Sequence, residues 1–290
     1  MLEQERNITD WDDFERALED IQDINYVQRF HSVPEVDPGN RSFLFRGQSD
    51  SVWKLTTTLD RYLLVPVPMR DYYRYAFRVK PRIETYLNRT WDVPLPQEYN
   101  EWLDNHEGLQ FRDFEGYEYL GFLRHHGFPS PFLDWTASPY IAAFFATRDV
   151  ESRADWMSVY VFLEDIGQGK VTTSDAPNIH SLGPYARIHE RHFLQQSQYT
   201  ICVQRGDDNN LCYARHEDAL SETPVTQQDI LWKLNIHASQ RKSFLTRLDA
   251  MNINDFSLFG TVDSLVAALA LKEVWLKEEM FEALPPLEKS

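Results

Sequence analysis

The chain has 290 residues, 42% of them hydrophobic and 14% aromatic, enough apolar material for a substantial core and too much for a disordered segment. Its formal net charge of −16 opposes broad nucleic-acid affinity, because phosphate repulsion dominates at long range. Only Cys202 and Cys212 are present, the start lacks a signal-peptide pattern, and no apolar run is long enough to span a bilayer; these features predict a reduced, cytoplasmic protein away from membranes.

In chain order, Thr9 or Asp10 caps a first helix over residues 9–24, with Trp11, Phe14, Leu18 and Ile21 on one stripe. A Pro-containing loop then leads to a short apolar strand, Phe43-Leu44-Phe45. Residues 59–118 read as a helical insertion with a turn near residues 92–96. Phe132 and Leu133 end a buried strand, Ser138 is a good N-cap, and Pro139 suits the first helical position. The helix that follows, Tyr140 to Ala146, is apolar all round and belongs in the core. The runs 159–163 and 199–203 are β-branched and aromatic, as core strands are. Between them, residues 167–183 are rich in Gly, Ser, Thr and Pro and read as a loop, a candidate lid. The two cysteines flank a hairpin tip at residues 205–210, a strand is expected over 230–237, and helices near 240–251 and 262–284. No Gly/Ser linker or internal repeat divides the chain, so we expect one α+β domain over residues 1–290.

Two segments carry dense polar chemistry. In the first, Arg46 stands where a buried strand should carry an apolar side chain, followed by Gly47, which permits a turn or close approach, and Gln48. A planar cation at a strand end suits a carboxylate or a phosphate. In the second, residues 120–147 place His125, His126, Asp134, Trp135 and Thr136 inside an aromatic run, and the helix beginning at Ser138 offers free backbone N–H groups to an anion. Two bland readings compete: an Arg46–Asp134 structural ion pair, and Asp134 and Thr136 satisfying a strand-to-helix turn.

These residues resemble the FRG-domain family. Phe45-Arg46-Gly47-Gln48-Ser49 with Trp53, Leu55 and Arg61 is similar to the block that names the family. His126-Gly127, Phe132 to Thr136, Ser138-Pro139 and Ala142 to Ala146 are similar to a second block. Weaker matches at Arg191, Gln196 and Tyr199-Thr200, and from Leu245 to Asp263, extend the resemblance over residues 40–270. Arg124-His125 departs from the family, which usually has Gln before the His-Gly pair.

More distantly, Phe45-Arg46-Gly47, and Asp134-Trp135-Thr136 followed by Ala142 to Phe145, resemble two elements of Arg-Ser-Glu-class ADP-ribosyltransferases. That resemblance implies a central mixed or antiparallel β core of ADP-ribosyltransferase type, NAD as cofactor, and a catalytic set of Arg46, Asp134 and Gln196, with Gln198 and Glu190 as alternatives to the last. Arg46, Gly47, Gln48, His126, Trp135, Thr136 and Ser138 would contact the cofactor, with Trp135 or a tyrosine stacking on nicotinamide. Asp134 would hold a ribose hydroxyl, orient Arg46 or stabilise the cationic transition state, and the sequence leaves these roles open.

Arg70, Arg74 and Arg78 recur every fourth residue among Tyr72, Tyr73, Tyr75 and Phe77. On a helix they form a ridge suited to RNA, or a solvated face bridging to acids. The leading expectation is an NAD-dependent ADP-ribosyltransferase, with RNA as a candidate acceptor. The resemblance further implies a toxin or anti-phage effector held in check by a neutralising antitoxin or chaperone. A nucleotide-, nucleic-acid- or protein-binding module without turnover is the alternative, and an NAD glycohydrolase the third reading.

Overall fold

The computed structural model of the protein describes residues 2–32, 43–63, 66–105, 115–165, 176–183, 190–222 and 228–277. In chain order the described elements are β1 (Leu2–Ile8), α1 (Trp11–Ser32), β2 (Leu44–Gln48), α2 (Thr58–Tyr62), β3 (Val67–Pro68), α3 (Met69–Leu87), α4 (Pro96–Asn105) and α5 (Tyr117–His125). Then come β4 (Leu133–Thr136), α6 (Pro139–Thr147), β5 (Trp156–Asp165), β6 (Asn178–Ser181), α7 (Glu190–Leu194), β7 (Ser197–Arg205), β8 (Leu211–Tyr213), α8 (His216–Glu222), β9 (Gln228–His237), α9 (Arg241–Ala250), α10 (Asp255–Phe259) and α11 (Val262–Ala270). The fold is α+β, built on a mixed nine-stranded sheet of order β1-β9-β5-β2-β4-β7-β8-β3, with β6 paired to β7. Only β1 and β9 run parallel among the described pairs.

Strand alternation sorts the core. Phe45 on β2, Val159 and Val161 on β5, and Trp232, Leu234 and Ile236 on β9 share one face with α1, α6 and α9. The stripe of Trp11, Phe14, Leu18 and Ile21 packs here, as the sequence leads one to expect. The same face of β7, through Tyr199, Ile201 and Val203, receives α3, α4 and α5. Leu44, Leu133, Trp135, Phe162 and Cys202 point to the opposite face, beside α8.

Several expectations on organisation change. The first helix starts at Trp11 and runs on to Ser32. Residues 2–8 form an edge strand paired with β9. Within the expected 59–118 insertion, α2, α3, α4 and the start of α5 are helical, Val67–Pro68 pairs with β8, residues 88–95 are a loop, and residues 64–65 and 106–114 lie outside the described set. Within the expected 167–183 loop, Asn178–Ser181 is a strand on β7, while residues 166–175 lie outside the described set. The last expected helix is α11 and a π turn at Leu271–Trp275; residues 278–284 are not described. Cys202 and Cys212 are buried free thiols. No described helix is long and apolar enough to cross a membrane.

Candidate functional site

Strands β2 and β4 pair at a single position, Phe45 with Thr136. On their outer sides β2 pairs through all five residues with β5, and β4 through all four with β7. The two halves of the sheet therefore part beyond Phe45, and side chains from both faces converge on the gap. A cleft of about 870 Å³ lies there.

Gly47 explains how α6 covers this region. A Cβ there would overlap the Ala142 carbonyl oxygen and lie 2.5 Å from the Ala146 nitrogen. Glycine is thus required for the helix backbone to lie on the strand, and Gly47 also lines the cleft.

Arg46 points to the face away from α6 and reaches across the gap. Its Nη1 donates to the Asp134 carbonyl oxygen at 2.7 Å, standing in for a ladder hydrogen bond that the parted strands do not make. The Asp134 carboxylate is 3.9 Å from Arg46 but in direct contact with the Arg124 guanidinium. Its structural mate is therefore Arg124 before Arg46. Burial pulls the Arg46 pKa below its ordinary value, Asp134 opposes the shift, and the Arg124 and Arg61 cations reinforce it. Nε of Arg46 and Nε of Arg124 are buried without a hydrogen-bond partner among the described residues.

The other expected ligand contacts separate into lining and scaffold. Gln48 lines the cleft, with its amide donating to the Lys54 carbonyl at 3.3 Å. Trp135 is 4% exposed, donates its indole N–H to Thr200 at 2.9 Å and stacks on Phe162. Trp135 and Thr136 both line the cleft, but the Trp135 ring is packed into the core and offers little free stacking face. Thr136 donates to the Gln195 carbonyl and accepts from the Ser138 N–H. Ser138 caps α6 by accepting from the Ile141 N–H and is outside the cleft lining.

His126 is exposed beside Phe122 at the end of α5, while its neighbour His125 lines the cleft and meets the Tyr199 hydroxyl at 2.8 Å. Burial raises the Tyr199 pKa well above its ordinary range, so the phenol keeps its proton at neutral pH. Gln196 holds a left-handed turn (φ 47°) before β7, its carbonyl accepting from the Ala137 N–H. The turn leaves its side chain exposed and outside the lining, where Gln195 stands instead. Of the alternatives, Glu190 begins α7 on the surface and Gln198 lies on β7 opposite Trp135; neither lines the cleft.

The arginine ridge on α3 is also altered. Arg70 pairs with Asp104 at 3.0 Å and Arg74 with Asp71 at 3.1 Å, whereas Arg78 is exposed. Tyr72 and Tyr73 are buried, their hydroxyls donating to the Pro129 and Pro94 carbonyls. Only Tyr75 and the half-buried Phe77 remain of the aromatic interleaving.

The charge at the cleft is the inverse of the chain's. Among the described lining residues are Arg46, Lys54, Arg61, Arg124 and Arg191 and a single carboxylate, Asp134; the Lys54 ammonium is paired with Glu217 at 3.0 Å. Arg124, on the last turn of α5, and Lys54 carry no sequence pattern that marks them as site residues; the sheet's parting brings them there. This arrangement defines an α+β protein with a cationic cleft opened between two sheet halves. Residues 41–155 match the model of the FRG domain, so this part of the chain is similar to that domain. The matched stretch contributes Arg46, Trp53, Arg124 and Asp134, while Arg191, Gln195 and Phe259 come from beyond it. No curated protein and no solved structure matches the chain.

Proposed function

We propose that the cleft binds a dinucleotide of the NAD class through its diphosphate, and that the protein uses it as an ADP-ribose donor. The observation that carries the reading is the gathering of four arginines, Arg46, Arg61, Arg124 and Arg191, at one cleft in a chain of net charge −16. Low-dielectric walls and clustered arginines concentrate positive potential, which suits a diphosphate better than a neutral or cationic ligand. Arg46 and Arg124 are held by the protein before a ligand arrives, so little ordering is left for the binding step.

In the proposed reaction the bond between the nicotinamide nitrogen and the ribose anomeric carbon breaks, and nicotinamide leaves with the bonding electrons. The acceptor's nucleophile bonds to that carbon and loses its proton. Asp134, the one carboxylate of the described lining, stabilises positive charge developing on the ribose, and Arg124 and Arg46 set its position. His125, held by Tyr199, is placed to take the acceptor's proton.

A second reading, binding without turnover, is favoured by one observation: Asp134 is already engaged by Arg124, which neutralises the charge that catalysis needs. Incubating the protein with NAD labelled in the adenylate, with and without RNA or lysate, tests both. Label on RNA or on protein supports transfer and identifies the acceptor. Nicotinamide release without labelled acceptor indicates hydrolysis. Calorimetric binding of NAD with no consumption establishes the second reading, and neither binding nor consumption refutes the dinucleotide proposal.

A further inference from the structure

Trp53 lies on the turn that follows β2. Its backbone is fixed at both ends: its N–H donates to the Asp50 carbonyl at 3.2 Å, and its carbonyl accepts from the Tyr160 hydroxyl at 3.4 Å. The next carbonyl, of Lys54, accepts from the Gln48 amide. Yet Trp53 is 52% exposed and lines the cleft. An isolated exposed aromatic is ordinary. One whose backbone is fixed on the wall of a cationic cleft keeps an aromatic side chain beside the groups that hold phosphate.

Its place along the strand is informative. Thr136, opposite Phe45, is tied to the Gln195 carbonyl, and the Gln195 amide is tied to the Leu258 carbonyl; Phe259 thus stands at the Phe45 end. Lys54, the residue after Trp53, is tied to Gln48 at the other end. Three strand steps separate Phe45 from Gln48, about 10 Å at the usual rise. The arginines Arg46 and Arg124 act between.

We propose that Trp53 stacks on a heteroaromatic ring of the bound nucleotide at the Gln48 end of the cleft, making the site selective for nucleotides over simple phosphates. The inference rests on the dinucleotide reading above and specifies where a base is recognised. Every nucleobase or nicotinamide ring has a π face, so an indole supplies affinity without hydrogen-bond readout. Because Trp53 is exposed and belongs to none of the core clusters, its removal leaves the core intact.

The test is calorimetric titration of NAD and of inorganic pyrophosphate into the parent protein and into the Trp53→Ala and Trp53→Phe variants, with thermal unfolding alongside. The expected result is a loss of about tenfold or more in NAD affinity for Trp53→Ala, within the range of base–aromatic stacking. Pyrophosphate affinity stays within about twofold, and Trp53→Phe retains most of the parent's NAD affinity. NAD binding unchanged in Trp53→Ala overturns the inference and leaves the dinucleotide reading standing. Equal loss of NAD and pyrophosphate also overturns it, since Trp53 then shapes the phosphate site. A parent protein that binds pyrophosphate but not NAD, or neither, overturns both.

Discussion

Replacing Arg46 by methionine separates ligand holding from support of the fold. The substitution removes the Nη1 hydrogen bond to the Asp134 carbonyl, and a bond from a charged donor contributes about 1.5–3 kcal/mol. It also removes a cation only 18% exposed at its side chain, disfavoured by burial and by neighbouring Arg124 and Arg61. Relief of such a desolvated, incompletely compensated charge is worth on the order of 1–4 kcal/mol when an apolar side chain of similar size replaces it. Asp134 is not stranded, because Arg124 remains on its carboxylate. The two contributions oppose each other, and the expected net change is within about 1.5 kcal/mol, or roughly 3 °C in Tm for a chain of this size. Ligand binding has no such compensation. Loss of a charged contact to phosphate at about 2–3 kcal/mol predicts a roughly 30- to 150-fold weaker Kd. Scanning calorimetry and isothermal titration with NAD and pyrophosphate measure both quantities. A Tm fall of more than about 8 °C with unchanged affinity would refute the argument, identifying Arg46 as a strut across the parted strands.

Other predictions address the scaffold. Gly47→Ala forces α6 off β2, since the new methyl overlaps the Ala142 carbonyl; a loss on the order of 3 kcal/mol or more is expected, and a near-parental Tm argues against the close approach. Ser138→Ala removes the cap on the Ile141 N–H and should lower stability by about 1 kcal/mol. NAD affinity should not change, whereas an affinity loss in that variant assigns the α6 N-terminus to the ligand after all. Burial holds the His192 pKa below its ordinary value of 6.5. Below that pH the unfolded chain binds a proton that the folded chain resists, so stability falls as pH drops from 7.5 towards 5.5. His192→Phe should flatten part of that decline in Tm, and an unaltered slope places its origin elsewhere.

Local chemistry made much of the fold legible. The stripe of Trp11, Phe14, Leu18 and Ile21 specifies a helix with one buried face whatever it packs on. Ser138-Pro139 before an apolar run marks a helix start from its own residues, and α6 begins there. The strands around Val161 and Ile201 announce themselves by branched and aromatic side chains. Elements whose residues carry weak local preference were not legible. Leu2–Ile8 is mostly polar, with charges at Glu3, Glu5 and Arg6, and becomes a strand where β9 offers it an edge, and Asn178–Ser181 reads as loop until β7 pairs with it.

At the site, the sequence by itself determined that Arg46 and Asp134 are out of place among apolar neighbours and so must meet something polar, a requirement set by the desolvation of buried charge. It also placed a glycine where backbone has to come close. Which partner each group takes was decided only in three dimensions. Sequence neighbours His125 and His126 part company because one faces inward at the end of α5 and the other faces solvent, and Gln195 and Gln196 part at a left-handed residue. Trp135 turns into the core because strand alternation sends it to the face opposite Phe45 and Thr136. The cationic cleft itself exists because β2 and β4 hold together at one residue pair and then diverge. Strand pairing is a contact between distant segments, and no local pattern in either strand records where that contact stops.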